Sequence, residues 1–146
     1  MRYLGLGFGI VAVDQLTKLW IQRHVALGDA RPLLGGLVYL THAQNPGGAF
    51  GLFPHQNWLF FGVMVLLVVL VVKLVYPMTK RSPLLCCGLS LGLAGAVGNL
   101  IDRLRVGRVI DFIDVGFWPV FNVADGAIVI GVALLFWELL GGRAAK

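Results

Sequence analysis

Two long stretches without any formally charged residue constrain the fold more than any other feature of this sequence. No Asp, Glu, Lys or Arg occurs from Pro32 to Val72 or from Ser82 to Ile101. Only 13% of the residues are charged, whereas a typical soluble domain contains about 25%. A soluble domain of this size leaves about a third of its surface in water. So much apolar sequence therefore excludes ordinary soluble folds, disordered tails and secreted disulfide scaffolds, and indicates a polytopic membrane protein.

Four segments are long enough to cross the hydrocarbon core, which takes about 20 mostly apolar residues. The predicted spans cover approximately residues 3–20, 58–75, 84–101 and 120–140. We therefore expect an all-α polytopic membrane protein that forms a single membrane-embedded domain over residues 1–146. An even number of transmembrane helices puts both termini on one side. The first apolar run lacks a small-x-small cleavage site, so we expect it to be retained as a span.

The first of the two loops on one side of these spans contains a strand-like run. The first loop has the run Leu37–Thr41, a turn signal at Asn45–Gly48 and then a second apolar run to Phe53. The second loop alternates apolar and acidic residues over Val109–Asp114. The first pattern predicts a small β element in the first loop.

The distribution of charge is more informative than the net charge of +5. The basic residues flank the spans and form no stripe interleaved with aromatic residues, so no nucleic-acid partner is expected. They divide six against six between the two sides, so the Lys/Arg rule alone does not fix the orientation. Every Asp falls on the side of the two long loops, and the single Glu, Glu138, falls on the other.

Two of the Asp residues lie inside predicted spans, and each allows two interpretations. Asp125 could cap the last helix together with Asn122, but a carboxylate within the bilayer costs several kcal/mol, more than capping returns, which favours a functional role. Asp14 lies four residues before Lys18. The two could form a structural ion pair with Lys18 reaching the head groups, or Asp14 could belong to a site.

Further polar residues close the third span and follow it. Asn99, Asp102 and Arg103 end that span, and the amide of Asn99 lies deep enough to need partners. Asp111 and Asp114 stand among apolar neighbours, where one carboxyl of a pair can keep its proton. Two such groups suit a hydrolase in which one activates water and the other polarises a carbonyl. From the residues alone, the partner of Asp125 could be Asp102, Asp111 or Asp114.

Other chemistries lack their motifs. The sequence has no HExxH, no Gly-x-Ser-x-Gly and no phosphate-binding loop. We therefore expect no metal and no organic cofactor. The alternative function is a small proton-coupled transporter, or a lipid-binding membrane protein, that uses the same Asp cluster.

Five motifs together resemble the lipoprotein signal peptidase (signal peptidase II) family, an aspartyl membrane peptidase family. They occur in the family's order and spacing over nearly the whole chain: Val13-Asp-Gln-Leu-Thr-Lys18, Asn45-Pro-Gly-Gly-Ala-Phe-Gly51, Gly98-Asn-Leu-Ile-Asp-Arg103, Val109-Ile-Asp-Phe-Ile-Asp114 and Phe121-Asn-Val-Ala-Asp125. The resemblance implies a multi-pass endopeptidase of the bacterial inner membrane with four transmembrane helices and cytoplasmic termini. Its substrate would be a lipidated prolipoprotein, cleaved just before the diacylglyceryl-modified Cys.

The resemblance also implies roles for individual residues. It assigns the catalytic dyad to Asp111 and Asp125, with the active site near the extracytoplasmic face. The residues matching family positions that line or support the site are Asp14, Asn45, Asn99, Asp102, Arg103 and Asn122. The strands of the first loop would be the family's small extracytoplasmic sheet. We expect a monomer that contacts membrane lipids besides its substrate.

Overall fold

The structure, a computed structural model, describes residues 2–46 and 57–141. It contains four α-helices and three β-strands, together with short 3₁₀ turns at Leu34–Gly36 and Tyr76–Arg81. In chain order these are α1 (Arg2–His24), β1 (Ala30–Leu33), β2 (Val38–Asn45), α2 (Asn57–Val75), α3 (Pro83–Val106), β3 (Val109–Asp114) and α4 (Val123–Leu140). Of the turn predicted at Asn45–Gly48, only Asn45 and Pro46 are among the described residues, and the second apolar run, to Phe53, lies outside them.

Three of the predicted spans coincide with helices long and apolar enough to cross a membrane. These helices are α1, α3 and α4. The second predicted span coincides with α2. The described apolar segment there, Val68–Met78, begins in α2, continues into the 3₁₀ turn that follows and is shorter than a span. Four spans therefore remain a prediction.

Helix α3 has clear signals at both ends. The Ser82 hydroxyl accepts a hydrogen bond from the backbone N–H of Leu84 (3.1 Å), and Pro83 occupies the first turn, where its missing N–H costs nothing. Gly107 ends the helix in the left-handed conformation (φ 71°). The helix continues past its predicted end at residue 101 and carries Asp102 and Arg103 in its last two turns.

Helix α3 is the centre of the bundle and contacts α1, α2 and α4. It meets α4 through glycines, as expected for helices that pack closely in a membrane. A Cβ on Gly95 would overlap the backbone oxygen of Ala124, and one on Gly88 would lie 2.9 Å from the backbone oxygen of Gly131. A Cβ on Gly92 would meet no heavy atom within 4 Å, although its backbone contacts Gly131.

The all-α prediction is wrong, because the two long loops together form a sheet. The expected β element of the first loop is present as β1 and β2, and the second loop contributes β3, giving an antiparallel sheet in the order β1-β2-β3. The sequence pattern at Val109–Asp114 alternates as a strand does, but a strand needs a partner distant in the chain. That partner is β2, in which Ala43 pairs with Asp111 and Tyr39 pairs with Asp114.

The sheet lies over the end of α1. Ile21 of α1 and Val25, the residue that follows the helix, pack against Phe112 of β3 in a small buried apolar cluster. Strand β3 is also held from the other side, because Ile113 and Phe121 exchange backbone hydrogen bonds (2.8 and 3.0 Å) just before α4 begins. This arrangement brings β3 close to the first turn of α4.

Candidate active site

Asn122 and Asp125 cap the N-terminus of α4 reciprocally. The Asn122 side-chain oxygen accepts from the backbone N–H of Asp125 (2.8 Å), and Asp125 Oδ2 accepts from the backbone N–H of Asn122 (3.3 Å). The capping interpretation is thus confirmed. It uses only one oxygen of the Asp125 carboxylate, however, and leaves Oδ1 for a different partner.

The amide nitrogen of Asn122 joins the helix to the sheet. Asn122 is fully buried, and its Nδ2 donates to Asp111 Oδ1 (2.7 Å), with the backbone oxygen of Ile110 (3.3 Å) as a further acceptor. One side chain therefore caps α4 with its oxygen and holds the carboxylate of β3 with its nitrogen. Asp111 and Asp125 are brought to the same place by this residue.

Asn99 of α3 holds the other oxygen of Asp125. Its Nδ2 donates to Asp125 Oδ1 (2.7 Å), and its Oδ1 accepts from Lys18 Nζ (3.1 Å) and from Asn122 Nδ2 (3.1 Å). An ammonium group can only donate hydrogen bonds. Lys18 therefore fixes which end of the Asn99 amide faces Asp125.

Lys18 lies at the centre of a buried ion cluster. Its Nζ is 2.9 Å from Asp14 Oδ2 and 2.7 Å from Asp102 Oδ2, and all three side chains are fully buried. The predicted ion pair of Asp14 with Lys18 is confirmed, but the expectation that Lys18 reaches the head groups is wrong. The second carboxylate, from α3, draws the ammonium inward instead.

Both carboxylates of the ion cluster also bind backbone groups that support the two acids. Asp14 Oδ1 accepts from the backbone N–H of Ala124 (2.9 Å) in the first turn of α4, and Asp102 Oδ2 accepts from the backbone N–H of Ile110 (3.2 Å) in β3. A helix leaves its first N–H groups without intrahelical partners. Asp14 satisfies one of these from a neighbouring helix, and so fixes the height of α4 relative to α1.

The surroundings of Asp111 favour a proton on its carboxyl. The side chain is 4% exposed. Burial, and then the nearby charge of Asp125, raise the pKa of Asp111 to about 6, although hydrogen bonds from Asn122 and Asn45 and the charge of Lys18 oppose the shift. Asp125 is only half-buried. The two carboxyls therefore stand in unequal environments.

Arg103 supplies a positive charge near both acids. Its guanidinium interacts electrostatically with Asp125, Asp111 and Asp102, and its Nη1 donates to the backbone oxygen of Asn99 (3.3 Å). The eight residues that the sequence singled out for the site thus belong to one connected network: Asp14, Asn45, Asn99, Asp102, Arg103, Asp111, Asn122 and Asp125.

The contacts of Asp102, Asp114 and Asp111 distinguish these three candidate partners of Asp125. Asp102 is paired with Lys18. Asp114, at the far end of β3, accepts from the backbone N–H of Gly116 (2.8 Å) at an exposed turn. Asp111 alone of these three is linked to Asp125 by hydrogen bonds through a single intervening residue, Asn122, whose side chain holds Asp111 and whose backbone N–H holds Asp125.

The sequence reasoning missed Gln15. Its Nε2 lies 3.1 Å from Asp14 Oδ2, from Asp102 Oδ1 and from the backbone oxygen of Gly98, so it reinforces the contact between α1 and α3 beside Lys18. The signal available was a run of polar residues, Asp14, Gln15 and Lys18, on one side of an otherwise apolar helix. Polar groups that share a face within a membrane need common partners.

Taken together, the arrangement offers two carboxyls whose environments differ, held by amides and supported by a buried cation. One carboxyl that keeps a proton and one that is ionised can act on a single water molecule as acid and base. A capping residue alone requires none of the contacts made by Asn99 or by the side-chain nitrogen of Asn122.

Comparisons with known proteins identify relatives of this chain. The chain is 44% identical over 140 residues to the lipoprotein signal peptidase of Moorella thermoacetica, covering 96% of this chain and 93% of that protein. It is 47% identical over 131 residues to the lipoprotein signal peptidase of Pelotomaculum thermopropionicum, covering 90% and 86%.

Solved structures give the same fold. A bacterial membrane enzyme determined in meso at 2.3 Å superposes with a TM-score of 0.86 at 30% identity, covering 99% of this chain and 91% of that one. A second, determined at 1.9 Å, gives a TM-score of 0.84 at 31% identity, covering 95% and 92%. The family model for signal peptidase (SPase) II matches residues 6–141. The chain therefore belongs to the signal peptidase II family of lipoprotein signal peptidases.

Proposed function

We propose that this chain is an aspartic endopeptidase that cleaves the signal peptide from lipidated prolipoproteins, with Asp111 and Asp125 as its catalytic dyad. Family membership supports a peptidase that acts on lipoprotein signal peptides. The observation that carries the aspartic mechanism is the pair of carboxyls joined through Asn122, of which Asp111 has its pKa raised to about 6.

The two acids take different roles in this proposal. Asp111 is the more deeply buried and carries the proton. Asp125 accepts hydrogen bonds from Asn99 and from the backbone N–H of Asn122 at the positive end of α4, and these contacts stabilise its negative charge. Asp125 is therefore the base and Asp111 the acid.

Catalysis then proceeds in two steps. Asp125 removes a proton from a water molecule held between the acids while the water oxygen bonds to the scissile carbonyl carbon, and the proton of Asp111 passes to the carbonyl oxygen. The resulting gem-diol collapses as its C–N bond breaks. The proton on Asp125 moves to the leaving nitrogen, and a gem-diol hydroxyl returns its proton to Asp111.

The membrane arrangement proposed for this reaction uses α2 as the fourth transmembrane helix. Its 19 residues extend about 28 Å, close to the thickness of the hydrocarbon core of about 30 Å. The termini then lie in the cytoplasm of a bacterial cell, in a single inner-membrane domain, and the active site lies near the extracytoplasmic face. There the acyl chains of the substrate can stay in the lipid while the peptide reaches the dyad, and a monomer contains every proposed catalytic group.

The transporter alternative requires a polar path from this cluster to the opposite end of the bundle. Among the described residues the acid at that end is Glu138 of α4, which is buried and lies one turn after Leu135, a member of a buried apolar cluster with Leu85 and Val75. These surroundings favour the peptidase over a proton path.

A cleavage assay tests the proposal. Purified protein in detergent is incubated with a lipidated prolipoprotein, and the release of the signal peptide is followed as a size shift on a gel. We expect cleavage by the wild-type chain and none by Asp125→Asn, with the same precursor lacking its diacylglyceryl group left intact. Absence of a size shift with the folded wild-type protein, or full cleavage by the variant, would contradict the proposed function.

A further inference from the structure

One end of the sheet collects exposed apolar side chains from two separate loops. Leu33 of β1 pairs with Val38, so the turn at residues 34–37 closes this end. Tyr39 of β2 pairs with Asp114, the last residue of β3, so the loop that follows β3 leaves from the same end. The sheet topology thus places residues 34–37 and 115–120 side by side.

These two loops carry four large apolar side chains that face outward. The exposed fractions are 77% for Leu34, 78% for Leu37, 88% for Phe117 and 62% for Trp118. We call these four residues the apolar sheet end. An exposed apolar group of this size marks a surface that another apolar phase covers.

The backbone at the turn holds one of these side chains outward at a cost. Leu34 has φ 46°, the one positive φ of a non-glycine residue in the described part of the chain. A bulky side chain in the left-handed region costs about 1–2 kcal/mol. The Leu34 side chain is not part of an apolar core. Local strain at such a residue favours a functional role for its exposed side chain.

Three exposed charged residues lie at the opposite end of the sheet. Asp29 and Arg31 flank Ala30 where β1 begins, and Arg108 immediately precedes β3; all three are exposed. Between residues 32 and 41, and between residues 115 and 122, the sequence has no charged residue. The exposed charges therefore lie at one end, whereas the apolar end has one half-buried acid, Asp114, whose carboxylate accepts from the backbone N–H of Gly116.

We propose that the apolar sheet end inserts into the interfacial region of the bilayer on the side where the sheet lies. The lipid surface is favoured over a protein partner because the chain ties this end closely to α4, a helix long and apolar enough to cross a membrane. Trp118 lies five residues before Val123, the first residue of α4, so the chain limits their separation to about 17 Å. Trp is also the side chain that concentrates at membrane interfaces.

Docking of this kind has a consequence for the active site. Strand β3 runs from Asp111, beside α4, to Asp114, beside the apolar sheet end. Contact with lipid would therefore fix the depth of the Asp111 carboxyl relative to the membrane surface. This consequence rests on the proposed function, whereas the docking itself does not.

Tryptophan fluorescence in vesicles tests the docking. Replacing Trp20, Trp58 and Trp137 by Phe leaves Trp118 as the single reporter, and the protein is reconstituted in phosphatidylcholine vesicles. We expect phosphatidylcholine brominated on its acyl chains to quench Trp118 at least twofold, while aqueous iodide has little effect. The matched control combines Trp118→Phe with Arg108→Trp, which puts the reporter at the charged end; there we expect quenching by iodide and none by the brominated lipid.

A second reporter, Leu37→Trp with Trp118→Phe in the same background, repeats the measurement at the same end of the sheet. It shows whether the result depends on one particular variant. Equal quenching of Trp118 and the control by iodide, with no effect of brominated lipid, would overturn the proposal. Shielding from iodide that appears only when prolipoprotein is added would also overturn it, by assigning this end to the substrate. Because the readout needs no catalysis, its failure is distinguishable from failure of the cleavage assay.

Discussion

At the scale of single residues, the buried carboxyl of Asp111 gives cleavage a pH dependence on the alkaline side. Its pKa is raised to about 6. If Asp111 donates a proton, activity is present below this pKa and is lost as the pH rises through it. We measure kcat/KM from pH 4.5 to 8.5. Above the pKa of Asp111, we expect it to fall about tenfold per pH unit. A profile that stays level from pH 5 to pH 8.5 would exclude Asp111 as the acid.

Lys18 compensates the negative charges of two buried carboxylates. Its replacement should therefore destabilise the protein strongly. Lys18→Met leaves Asp14 and Asp102 without their cation, and breaking a buried ion pair costs about 3–5 kcal/mol. We expect a large drop in the unfolding temperature in detergent, followed by circular dichroism. The exposed Lys80 provides the matched control, and Lys80→Met should leave the unfolding temperature unchanged.

A triple variant separates charge compensation from packing. Adding Asp14→Asn and Asp102→Asn to Lys18→Met removes the uncompensated charges while keeping the side-chain volumes, so part of the lost stability should return. If the triple variant is no more stable than Lys18→Met alone, the ion cluster does not act as described.

At the scale of elements, the glycines of α3 determine how closely α4 approaches. Gly95→Ala places a methyl group against the backbone of Ala124, and such overpacking costs about 1–3 kcal/mol. Gly92→Ala on the same helix meets nothing within 4 Å and should be neutral, or stabilising by up to about 1 kcal/mol through helix propensity. Unfolding temperatures of both variants in detergent check this. Equal effects of the two substitutions would mean that close packing of α3 and α4 is not the reason for Gly95.

The first turn of α4 shows why one element can be both structural and functional. Asn122 satisfies the capping requirement of the helix with its oxygen and still has an amide nitrogen to offer, which it gives to Asp111. A Ser or Thr would cap equally well but has no such second group. The choice of Asn at this position follows from the neighbouring strand rather than from the helix.

At the scale of the whole molecule, the proposed topology puts the sheet outside the cell and the turn between α2 and α3 inside it. In a background without Cys86 and Cys87, Asp29→Cys, at the start of the sheet and exposed, should react with a membrane-impermeant maleimide in intact spheroplasts. Lys80→Cys should react only after the membrane is opened. Reaction of Lys80→Cys in sealed spheroplasts would reverse the proposed orientation.

How much of this could be predicted from the sequence depends on the range of the interaction. The helices follow from apolar length, and the cap at Asn122 and the pairing of Asp14 with Lys18 follow from spacings of three and four residues. The third strand and the burial of Lys18 could not be predicted in this way. Both depend on partners distant in the chain, β2 for β3 and Asp102 for Lys18, and no local pattern identifies which distant residue comes near.

The joint action of the two acids is tested most directly by kcat/KM for Asp111→Asn, Asp125→Asn and the double variant on a lipidated prolipoprotein. Asp29→Asn, an exposed acid outside the network, is the control. Because groups that act as a unit are lost together, each single variant should fall by about 10⁴-fold or more, the double variant should fall no further, and the control should match the wild type. Activity of Asp111→Asn equal to that of Asp29→Asn would contradict the dyad.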